Sequence, residues 1–310
     1  MHAEPAPHTP EGTTPTSSPV FVPPAAEEAD RTCIVCGGTY QPSALPGLFK
    51  CQSCGFISAD MSIPESELHG LYGEDYFHGE EYLDYEAEAD SLCLNFRRRI
   101  ETLEALKPEI GSSDLFEIGC AYGYFLREIG QRGVGRASGI DISHDAVHSA
   151  VSELKVDARQ GDYLALDLER QVDIIAMWDT IEHLKRPDLF VAKAAKDLKP
   201  GGLLAITTGD IGSLNAKFRG KSWRMIHPPT HMHYFSVRTL SKLLEASGLE
   251  VVHVSHPGNA RRLRSVLYFL TVLKGKQRWI YDSLQKLALF DLSLTVNLFD
   301  IMYVVARKRA

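Results

Sequence analysis

Short apolar runs alternate with amphipathic segments from residue 91 onwards, a pattern typical of an α/β sheet. Residues 172–178 form the clearest run, Val-Asp-Ile-Ile-Ala-Met-Trp. Continuous apolarity of this kind fits a central parallel strand that is covered on both faces. Residues 91–106 place apolar side chains at helical spacing and predict the helix that precedes the sheet.

The pattern predicts seven strands. The first ends at Glu117, and the others are expected at residues 136–142, 158–163, 172–178, 203–208, 249–253 and 299–306. Further helices are expected at residues 187–198 and 237–247, and a Lys-Pro-Gly-Gly turn at 199–202. The predicted fold is a Rossmann-like, seven-stranded, mostly parallel sheet with flanking helices and one reversed edge strand.

A glycine turn, residues 119–123, follows the first predicted strand and precedes a helical segment. Gly119 and Gly123 allow a sharp bend and the close approach of a ligand, because neither carries a Cβ. Glu117 stands before the glycines, where its charge would repel a pyrophosphate but suits a cationic ligand such as S-adenosylmethionine. A tight turn in some other Rossmann-like protein is the alternative.

This stretch resembles the first motif of class I S-adenosylmethionine-dependent methyltransferases, Glu/Asp-x-Gly-x-x-x-Gly, with one departure at Ala121. Asp141 ends the second predicted strand and is expected to accept both ribose hydroxyls. Its alternative role is a helix N-cap, which Ser143 can fill equally well. The resemblance implies that Asp162 meets the adenine amino group. The expected cofactor-binding residues are Glu117, Gly119, Cys120, Gly123, Asp141, Ile142, Asp162, Tyr163 and Trp178.

Two Cys-x-x-Cys pairs, Cys33/Cys36 and Cys51/Cys54, each precede a glycine and are separated by 14 residues. Four thiolates close a tetrahedral Zn²⁺ site and leave no open position, so the predicted role is structural. A redox pair or free thiols are the alternatives. We call residues 31–60 the ribbon, since the spacing fits a zinc ribbon. It loosely resembles N-terminal modules of some bacterial methyltransferases that act on sugars and natural products.

The segment after the strand at 172–178 carries Asp179, Glu182 and His183. If a helix begins at Asp179, these side chains converge at the carboxyl end of the sheet. His227, His231 and His233 follow the fifth predicted strand and should reach the same end. We expect His183, His231 and Glu182 to act on the acceptor as base or positioning groups.

The same segment resembles the Glu-x-x-Glu-His site of small-RNA 2′-O-methyltransferases and ubiquinone-pathway O-methyltransferases. In those enzymes an Mg²⁺-like ion holds vicinal oxygens. The resemblance implies a second divalent ion, Mg²⁺ or Mn²⁺, held by Asp179, Glu182, His183 and His231. Asp179 departs from the pattern with a shorter arm than glutamate. The alternative is that Glu182 and His183 only cap and pack the helix.

The composition is that of a globular protein, with 310 residues, 44% hydrophobic residues, 24% charged residues and a net charge of −7. This charge gives no reason to expect a nucleic-acid partner. No apolar run approaches the roughly 18 residues of a membrane span, and no secretory signal is recognised. Six cysteines do not suggest a disulfide scaffold, so a cytoplasmic location is expected.

The predicted domains are a disordered tail at 1–30, the ribbon at 31–60, an acidic aromatic connector and helix at 61–110, and a methyltransferase domain at 111–310. Its basic stretch at 258–298 is expected to be a helical insertion. The insertion is interpreted as a substrate cap or dimer face. The alternative is a peripheral surface for an anionic membrane or a lipid-linked acceptor.

The sequence therefore favours an S-adenosylmethionine-dependent methyltransferase acting on a hydroxyl of a sugar, glycan or related small metabolite. One alternative is C- or N-methylation of a nucleotide-linked sugar or another metabolite. The other is a non-catalytic binding protein built from the ribbon and a degenerate Rossmann domain. The intact set of Glu117, Gly119, Gly123 and Asp141 argues against degeneracy.

Overall fold

The computed structural model describes residues 32–60, 88–268, 271–272, 275, 277–284 and 292–309. The tail predicted at 1–30 lies outside the described residues, as does the tyrosine-rich part of the predicted connector. In the described part of the chain, no helix is both long and apolar enough to span a bilayer.

The ribbon contains three short strands, β1 (Tyr40–Pro42), β2 (Leu48–Cys51) and β3 (Ile57–Ala59), paired in antiparallel order. Each Cys-x-x-Cys pair sits on a tight turn. Gly37 donates its N–H to the Cys33 carbonyl at 2.7 Å, and Gly55 donates to the Cys51 carbonyl at 3.0 Å. Both glycines have positive φ, +70° and +80°, which explains why glycine follows each pair.

The remaining strands lie between residues 114 and 308. They are β4 (Asp114–Ile118), β5 (Arg136–Asp141), β6 (Asp157–Gln160), β7 (Val172–Trp178), β8 (Leu198–Gly209), β9 (His233–Tyr234), β10 (Leu249–Ser255), β11 (Asn259–Arg262), β12 (Ser293–Val296) and β13 (Ile301–Lys308). The helices are α1 (Ala89–Leu106), α2 (Tyr124–Gly130), α3 (His144–Glu153), α4 (Pro187–Asp197), α5 (Leu214–Arg219), α6 (Val237–Ala246), α7 (Leu263–Tyr268) and α8 (Arg278–Leu284).

Among the described residues the main sheet has seven strands, in the order β10-β13-β8-β7-β4-β5-β6. The pairs from β8 to β6 are parallel, whereas β13 is antiparallel to both β8 and β10. The mostly parallel, seven-stranded fold is confirmed. The prediction that the reversed strand forms the edge is wrong, because β10 covers the outer side of β13.

Several predicted boundaries differ from the structure by one or two residues, and the two largest departures lie at glycines. β6 ends at Gln160, and Gly161 starts a turn where the strand was expected to continue. The predicted turn at 199–202 is instead a bulge inside β8. Val172 pairs with Leu198 and Ile174 with Leu203, so four residues of β8 lie opposite one of β7. Gly201, at φ +75°, permits this bulge.

The stretch at 258–298 is not simply a helical insertion. β11 and β12 pair as a separate antiparallel sheet of two strands, with α7 and α8 between them in the chain. Asn95 on α1 holds β11 through both atoms of its amide, accepting from Ala260 N at 2.7 Å and donating to Ala260 O at 3.1 Å. This part of the chain therefore docks on the helix that precedes the sheet.

Two apolar cores lie on opposite faces of the main sheet. One packs α1 and α2 on the sheet and contains Phe96, Leu126 and Ile174. The other packs α4 and α6, and it includes residues of the ribbon beside Phe235 and Leu240. The ribbon joins the domain of the main sheet directly, because β3 pairs antiparallel with β9.

Candidate functional site

The glycine turn has the geometry that its sequence predicts. Gly119, Ala121 and Gly123 have φ values of +76°, +43° and +75°, all in the left-handed region. A Cβ on Gly119 would lie 2.7 Å from Oγ1 of Thr180, so only glycine fits there. Many members of the family that this motif resembles have a third glycine where this chain has Ala121. The left-handed φ explains that preference, because alanine is strained in this conformation. Gly123 begins α2.

Glu117 lies at the end of β4 with only 2% of its surface exposed. Its Oε2 atom is buried and has no hydrogen-bond partner in the protein. Burial, with a smaller contribution from the charge of Asp141, holds the pKa of Glu117 well above its usual range. A buried carboxylate with an unused acceptor beside the glycine turn fits the ammonium group of S-adenosylmethionine.

Asp141 is held at the end of β5 by backbone amides. Its Oδ2 accepts from Ala121 N at 2.8 Å, and its Oδ1 accepts from Ser143 N at 2.9 Å. Ser143, not Asp141, caps α3, because its hydroxyl accepts from Ala146 N at 3.3 Å. The carboxylate thus ties the glycine turn to β5 and keeps lone pairs for ribose hydroxyls.

The other expected cofactor residues divide into two groups. Ile142 and Asp162 are exposed near the ends of β5 and β6, and both stay candidates. Cys120 packs its sulfur against Gly139, so its side chain is part of the floor of the turn.

Tyr163 is wrong as a side-chain ligand of the cofactor. Its ring is buried between Phe116 and Phe190, and its hydroxyl donates to Asp197 at 2.6 Å. Asp197 ends α4 just before β8 begins, so the tyrosine points away from the carboxyl ends of the strands. The sequence does not show which way the ring of Tyr163 points, because its position next to Asp162 is compatible with either direction.

Asp179 does not begin a helix and does not join the predicted ion site. It has φ +51°, and a 3₁₀ turn at Ile181–His183 follows it. Its carboxylate instead forms an ion pair with Arg99 of α1 at 3.3 Å. Because Asp179 is itself in the left-handed conformation, its side chain and that of Glu182 point in different directions. Their spacing in the sequence does not reveal this.

A small cavity beside Trp178 contains residues that the sequence analysis missed. Arg99 is 6% exposed and lies over the rings of Phe96 and Trp178, at 5.4 and 5.2 Å. The indole Nε1 of Trp178 is buried without a hydrogen-bond partner, and Arg261 of β11 also lines the cavity. The available signal was the line of polar residues Ser91, Asn95 and Arg99 on the buried face of an amphipathic helix.

Glu182, His183 and His231 come together on the opposite side of β7, and we call them the acceptor cluster. Each offers a ligand atom, and these atoms lie within 4.8 Å of one another. Glu182 and His231 are buried, at 2% and 4% exposure. The imidazole centroids of His183 and His231 are 4.5 Å apart. His227 lies next to them, 3.8 Å from His231 between centroids.

Backbone carbonyls fix the protons of the two clustered imidazoles. Nδ1 of His183 lies 2.9 Å from the Thr230 carbonyl, and Nδ1 of His231 lies 2.9 Å from the Met225 carbonyl. A carbonyl only accepts, so each Nδ1 carries a proton and donates it. Burial, and then the nearby His183 and His227, lower the pKa of His231 far below its usual range, so it is neutral at pH 7.

His233 lies outside the acceptor cluster, although the sequence placed it with the other histidines. Its Nδ1 contacts Ser58 Oγ of the ribbon at 3.0 Å, and its Nε2 lies 3.4 Å from the Lys185 carbonyl. Burial lowers the pKa of His233 to about 4. His233 belongs to β9, which pairs with β3 of the ribbon, whereas His231 comes before that strand.

The four ribbon cysteines form a second cluster of ligand atoms. Their sulfurs lie within 4.8 Å of one another, with Cys33–Cys54 at 3.6 Å and Cys36–Cys51 at 3.5 Å. These distances are far longer than a disulfide bond of about 2 Å. They are close to the edge of roughly 3.8 Å that Zn–S bonds of about 2.3 Å give in a tetrahedron.

The fold and the glycine turn define a nucleotide-binding α/β enzyme, and comparison with known proteins gives its family. The family model described as "Methyltransferase domain" matches residues 82–254, more than half of the chain. The chain belongs to this family and is a class I S-adenosylmethionine-dependent methyltransferase. The recognition made from the glycine turn is therefore confirmed.

Curated relatives match only part of the chain. A probable S-adenosylmethionine-dependent methyltransferase of Mycolicibacterium smegmatis is 27% identical over 161 residues, which is 50% of this chain and 59% of that protein. A ubiquinone biosynthesis O-methyltransferase of Bradyrhizobium diazoefficiens is 27% identical over 124 residues, 38% of this chain and 47% of that protein. The chain spans about half the length of the curated relatives it matches.

Solved structures share the fold. The magnesium protoporphyrin IX methyltransferase of Synechocystis PCC 6803, solved with bound S-adenosylhomocysteine, superposes with a TM-score of 0.51 at 12% identity. The match covers 79% of this chain and 100% of that chain. At this identity the likeness concerns the fold alone.

Proposed function

We propose that this methyltransferase methylates a hydroxyl oxygen of a sugar, glycan or related small metabolite. The acceptor cluster is the observation that carries the proposal. Bound S-adenosylmethionine supplies an activated methyl group on its sulfonium. The protein must then align the acceptor and remove the proton of a weakly acidic alcohol. A buried carboxylate and two imidazoles, of which His231 is neutral, suit that task.

The cofactor side of the site supports the proposal through the donors and acceptors it offers. Glu117 is suited to the ammonium group of the methionine part, and Asp141 to the ribose hydroxyls. Ile142 offers an exposed apolar side chain next to Asp141. The glycine turn lets the backbone approach the ligand closely.

The acceptor cluster can act on the hydroxyl in two ways. One of its side chains, Glu182 or an imidazole, can accept the proton directly. Alternatively, Glu182, His183 and His231 can hold a divalent ion that binds two neighbouring oxygens of the acceptor. Nδ1–H groups donated to backbone carbonyls are the usual outer contacts of histidines that bind metals. Two imidazole nitrogens favour a transition metal over Mg²⁺, so of the two ions expected from the sequence Mn²⁺ suits the cluster better.

An oxygen acceptor is also favoured by the relatives that are named ubiquinone biosynthesis O-methyltransferases. Vicinal hydroxyls on an aromatic ring are therefore the second acceptor class to test. Methylation of carbon or nitrogen also releases a proton from the acceptor, so it is the names of these relatives that favour oxygen.

We further propose that the four ribbon cysteines bind one structural Zn²⁺. The spacing of the sulfurs and their burial support a closed, four-thiolate site. Four protein ligands leave no position for substrate, so this ion takes no part in the chemistry. Its contribution is to the folding of a module too small to bury a core by itself.

The test is a methyl-transfer assay on the purified full-length protein. Radiolabelled S-adenosylmethionine is offered with methyl glycosides, a nucleotide-linked sugar, an amino sugar and catechol, and the methylated atom is identified by NMR. We expect transfer to oxygen, and a loss of at least about 100-fold in His231→Gln. Transfer to nitrogen or carbon, or an unchanged rate in His231→Gln, would contradict the proposal.

The same assay separates the two routes to the hydroxyl. EDTA is added under conditions in which the zinc content of the protein, followed by elemental analysis, stays constant. Loss of activity that Mn²⁺ restores indicates an ion in the acceptor cluster. Full activity in EDTA indicates that a side chain of the cluster acts directly on the proton.

A further inference from the structure

The ribbon and the acceptor cluster are joined through Met232. Its carbonyl accepts from Ala59 N of β3 at 2.7 Å, and its N–H donates to the Glu182 carbonyl at 2.9 Å. Met232 follows His231 directly in the chain. One residue therefore links the last strand of the ribbon to two members of the acceptor cluster, and all of these contacts are backbone hydrogen bonds.

A chain of side chains runs parallel to this link. Tyr40 Oη lies 3.1 Å from Ser58 Oγ, which lies 3.0 Å from Nδ1 of His233. Nε2 of His233 faces the Lys185 carbonyl at 3.4 Å, so Nε2 carries the ring proton. Nδ1 must then accept from the hydroxyl of Ser58, and Ser58 in turn accepts from Tyr40. The chain ends two residues after His183.

Aromatic contacts close the same interface. Phe56 follows the second cysteine pair and is fully buried. It stacks on His233 at 5.6 Å and packs at a tilt on Phe235 at 4.9 Å between centroids. Arg238 of α6 donates to the Cys54 carbonyl. The cysteine turn that is suited to hold the metal is therefore packed against the segment that carries the acceptor histidines.

We propose that the ribbon metal positions the acceptor cluster: it orders β3, β3 holds β9, and β9 holds His231 and the turn that carries Glu182. The inference rests on the proposed function of that cluster and of the cysteines. Three short strands around four thiolates depend on their metal to stay folded. A strand of two residues such as β9 cannot keep its geometry without a partner.

The cofactor side does not use this link. Gly119 N and Cys120 N donate to the Ile140 carbonyl at 2.8 and 3.1 Å, and Ala121 N donates to Asp141. These bonds join β4, β5 and the glycine turn within the parallel sheet. Loss of the ribbon metal should thus loosen the acceptor side and leave the glycine turn ordered.

The first test measures hydrogen exchange by mass spectrometry on the full chain, before and after zinc is removed with a chelator. We expect faster exchange in peptides that cover residues 225–236, together with those of the ribbon, and unchanged exchange in residues 114–126. Unchanged exchange at 225–236 overturns the proposal. Equal loosening of residues 114–126 also overturns it, because the metal would then support the whole fold.

The second test keeps the metal in place. Ser58→Ala removes the hydroxyl that donates to His233. Gln52→Ala is the control, because the side chain of Gln52 is exposed and donates to Gln41. We expect kcat to fall about tenfold in Ser58→Ala, with zinc content and the KM for S-adenosylmethionine unchanged. The control should behave like the wild type. An unchanged kcat in Ser58→Ala, or a rise in the cofactor KM, overturns the positioning role.

The failure of this inference can be told from failure of the proposed function. Hydrogen exchange needs no acceptor, so it tests the link even if no hydroxyl substrate is found. Conversely, suppose that the protein transfers methyl groups to oxygen while hydrogen exchange at residues 225–236 stays the same after zinc removal. That result would support the proposed function and contradict the link between the ribbon metal and the acceptor cluster.

Discussion

The two sides of the active site are built in different ways. The cofactor side comes from one continuous stretch, in which Glu117, the glycine turn and Asp141 lie within 24 residues of sequence. The proposed acceptor side is assembled from Glu182 and His231, with support from Ser58 of the ribbon. The first depends on local backbone geometry, whereas the second depends on contacts between segments far apart in the chain.

This difference separates the expected effects of mutation. A change on the cofactor side should alter ligand binding or the strain of the turn. A change on the acceptor side should alter methyl transfer while cofactor binding persists. The predictions below test that separation, beginning with the largest effect.

Glu182→Gln should have the largest effect, a loss of methyl transfer of at least about 100-fold. The substitution keeps the shape of a buried side chain but removes the charge that acts on the acceptor or on an ion. The rate of S-adenosylhomocysteine release measures it, with Glu245→Gln on the exposed face of α6 as the control. A loss of cofactor affinity in Glu182→Gln would contradict the prediction, because the two sides of the site would then not be independent.

Gly119→Ala should destabilise the protein by about 2–4 kcal/mol, since a left-handed alanine is strained and its Cβ meets Thr180. Thr180 cannot easily move aside, because its hydroxyl donates to the Trp178 carbonyl at 3.1 Å. Gly133→Ala is the matched control: φ is +75° there too, but nothing lies within 4 Å of the new Cβ. That control should cost only about 1–2 kcal/mol in urea unfolding. Equal losses of unfolding free energy in the two variants would mean that Thr180 moves away from the new Cβ.

Asp300→Asn should destabilise the loop that leads to the acceptor histidines, by about 2–3 kcal/mol at pH 7. Asp300 accepts from the Trp223 indole at 2.8 Å and from Asn215 at 2.7 Å, and it pairs with Arg224. Burial alone would raise the pKa of Asp300, but Arg224 and Trp223 outweigh it and lower that pKa.

The pH dependence of Asp300 follows from this direction. A lowered pKa in the folded state stabilises the protein above the ordinary value of 3.8, and the contribution is lost as the pH falls below it. The difference in unfolding free energy between wild type and Asp300→Asn should be constant from pH 7 to 5 and shrink below about pH 4. A difference that shrinks between pH 7 and 5 would point to another group.

Ala121→Gly should have the smallest effect, a gain of about 0.5 kcal/mol in stability. Glycine relieves the left-handed strain at φ +43° but loses part of the gain to a more flexible unfolded chain. Urea unfolding measures the gain, and affinity for S-adenosylhomocysteine should stay the same. A less stable variant would show that the alanine methyl packs more than it strains.

Sequence reasoning succeeded where structure is local. β7 begins and ends at the predicted residues, because seven nearly apolar residues can only be a buried strand in this setting. The glycine turn and both cysteine knuckles were found because tight turns demand glycine within a few residues.

The missed features depend on distant partners. The pairing of β3 with β9 joins residues about 175 positions apart. Strands of three and two residues are too short to show a hydrophobic pattern that predicts this pairing. The outer place of β10 is likewise fixed by sheet order and not by its own sequence. Asp179 was misplaced because its left-handed conformation contradicts the helix that its neighbours suggest.

The most direct test of the two-sided site is a calorimetric titration of S-adenosylhomocysteine into the wild type, Asp141→Ala and His231→Gln. The account predicts that His231→Gln binds within about twofold of the wild type, whereas Asp141→Ala loses about 100-fold or more, since two backbone amides and the ribose contact depend on that carboxylate. Equal losses in the two variants would contradict the separation of the cofactor and acceptor sides.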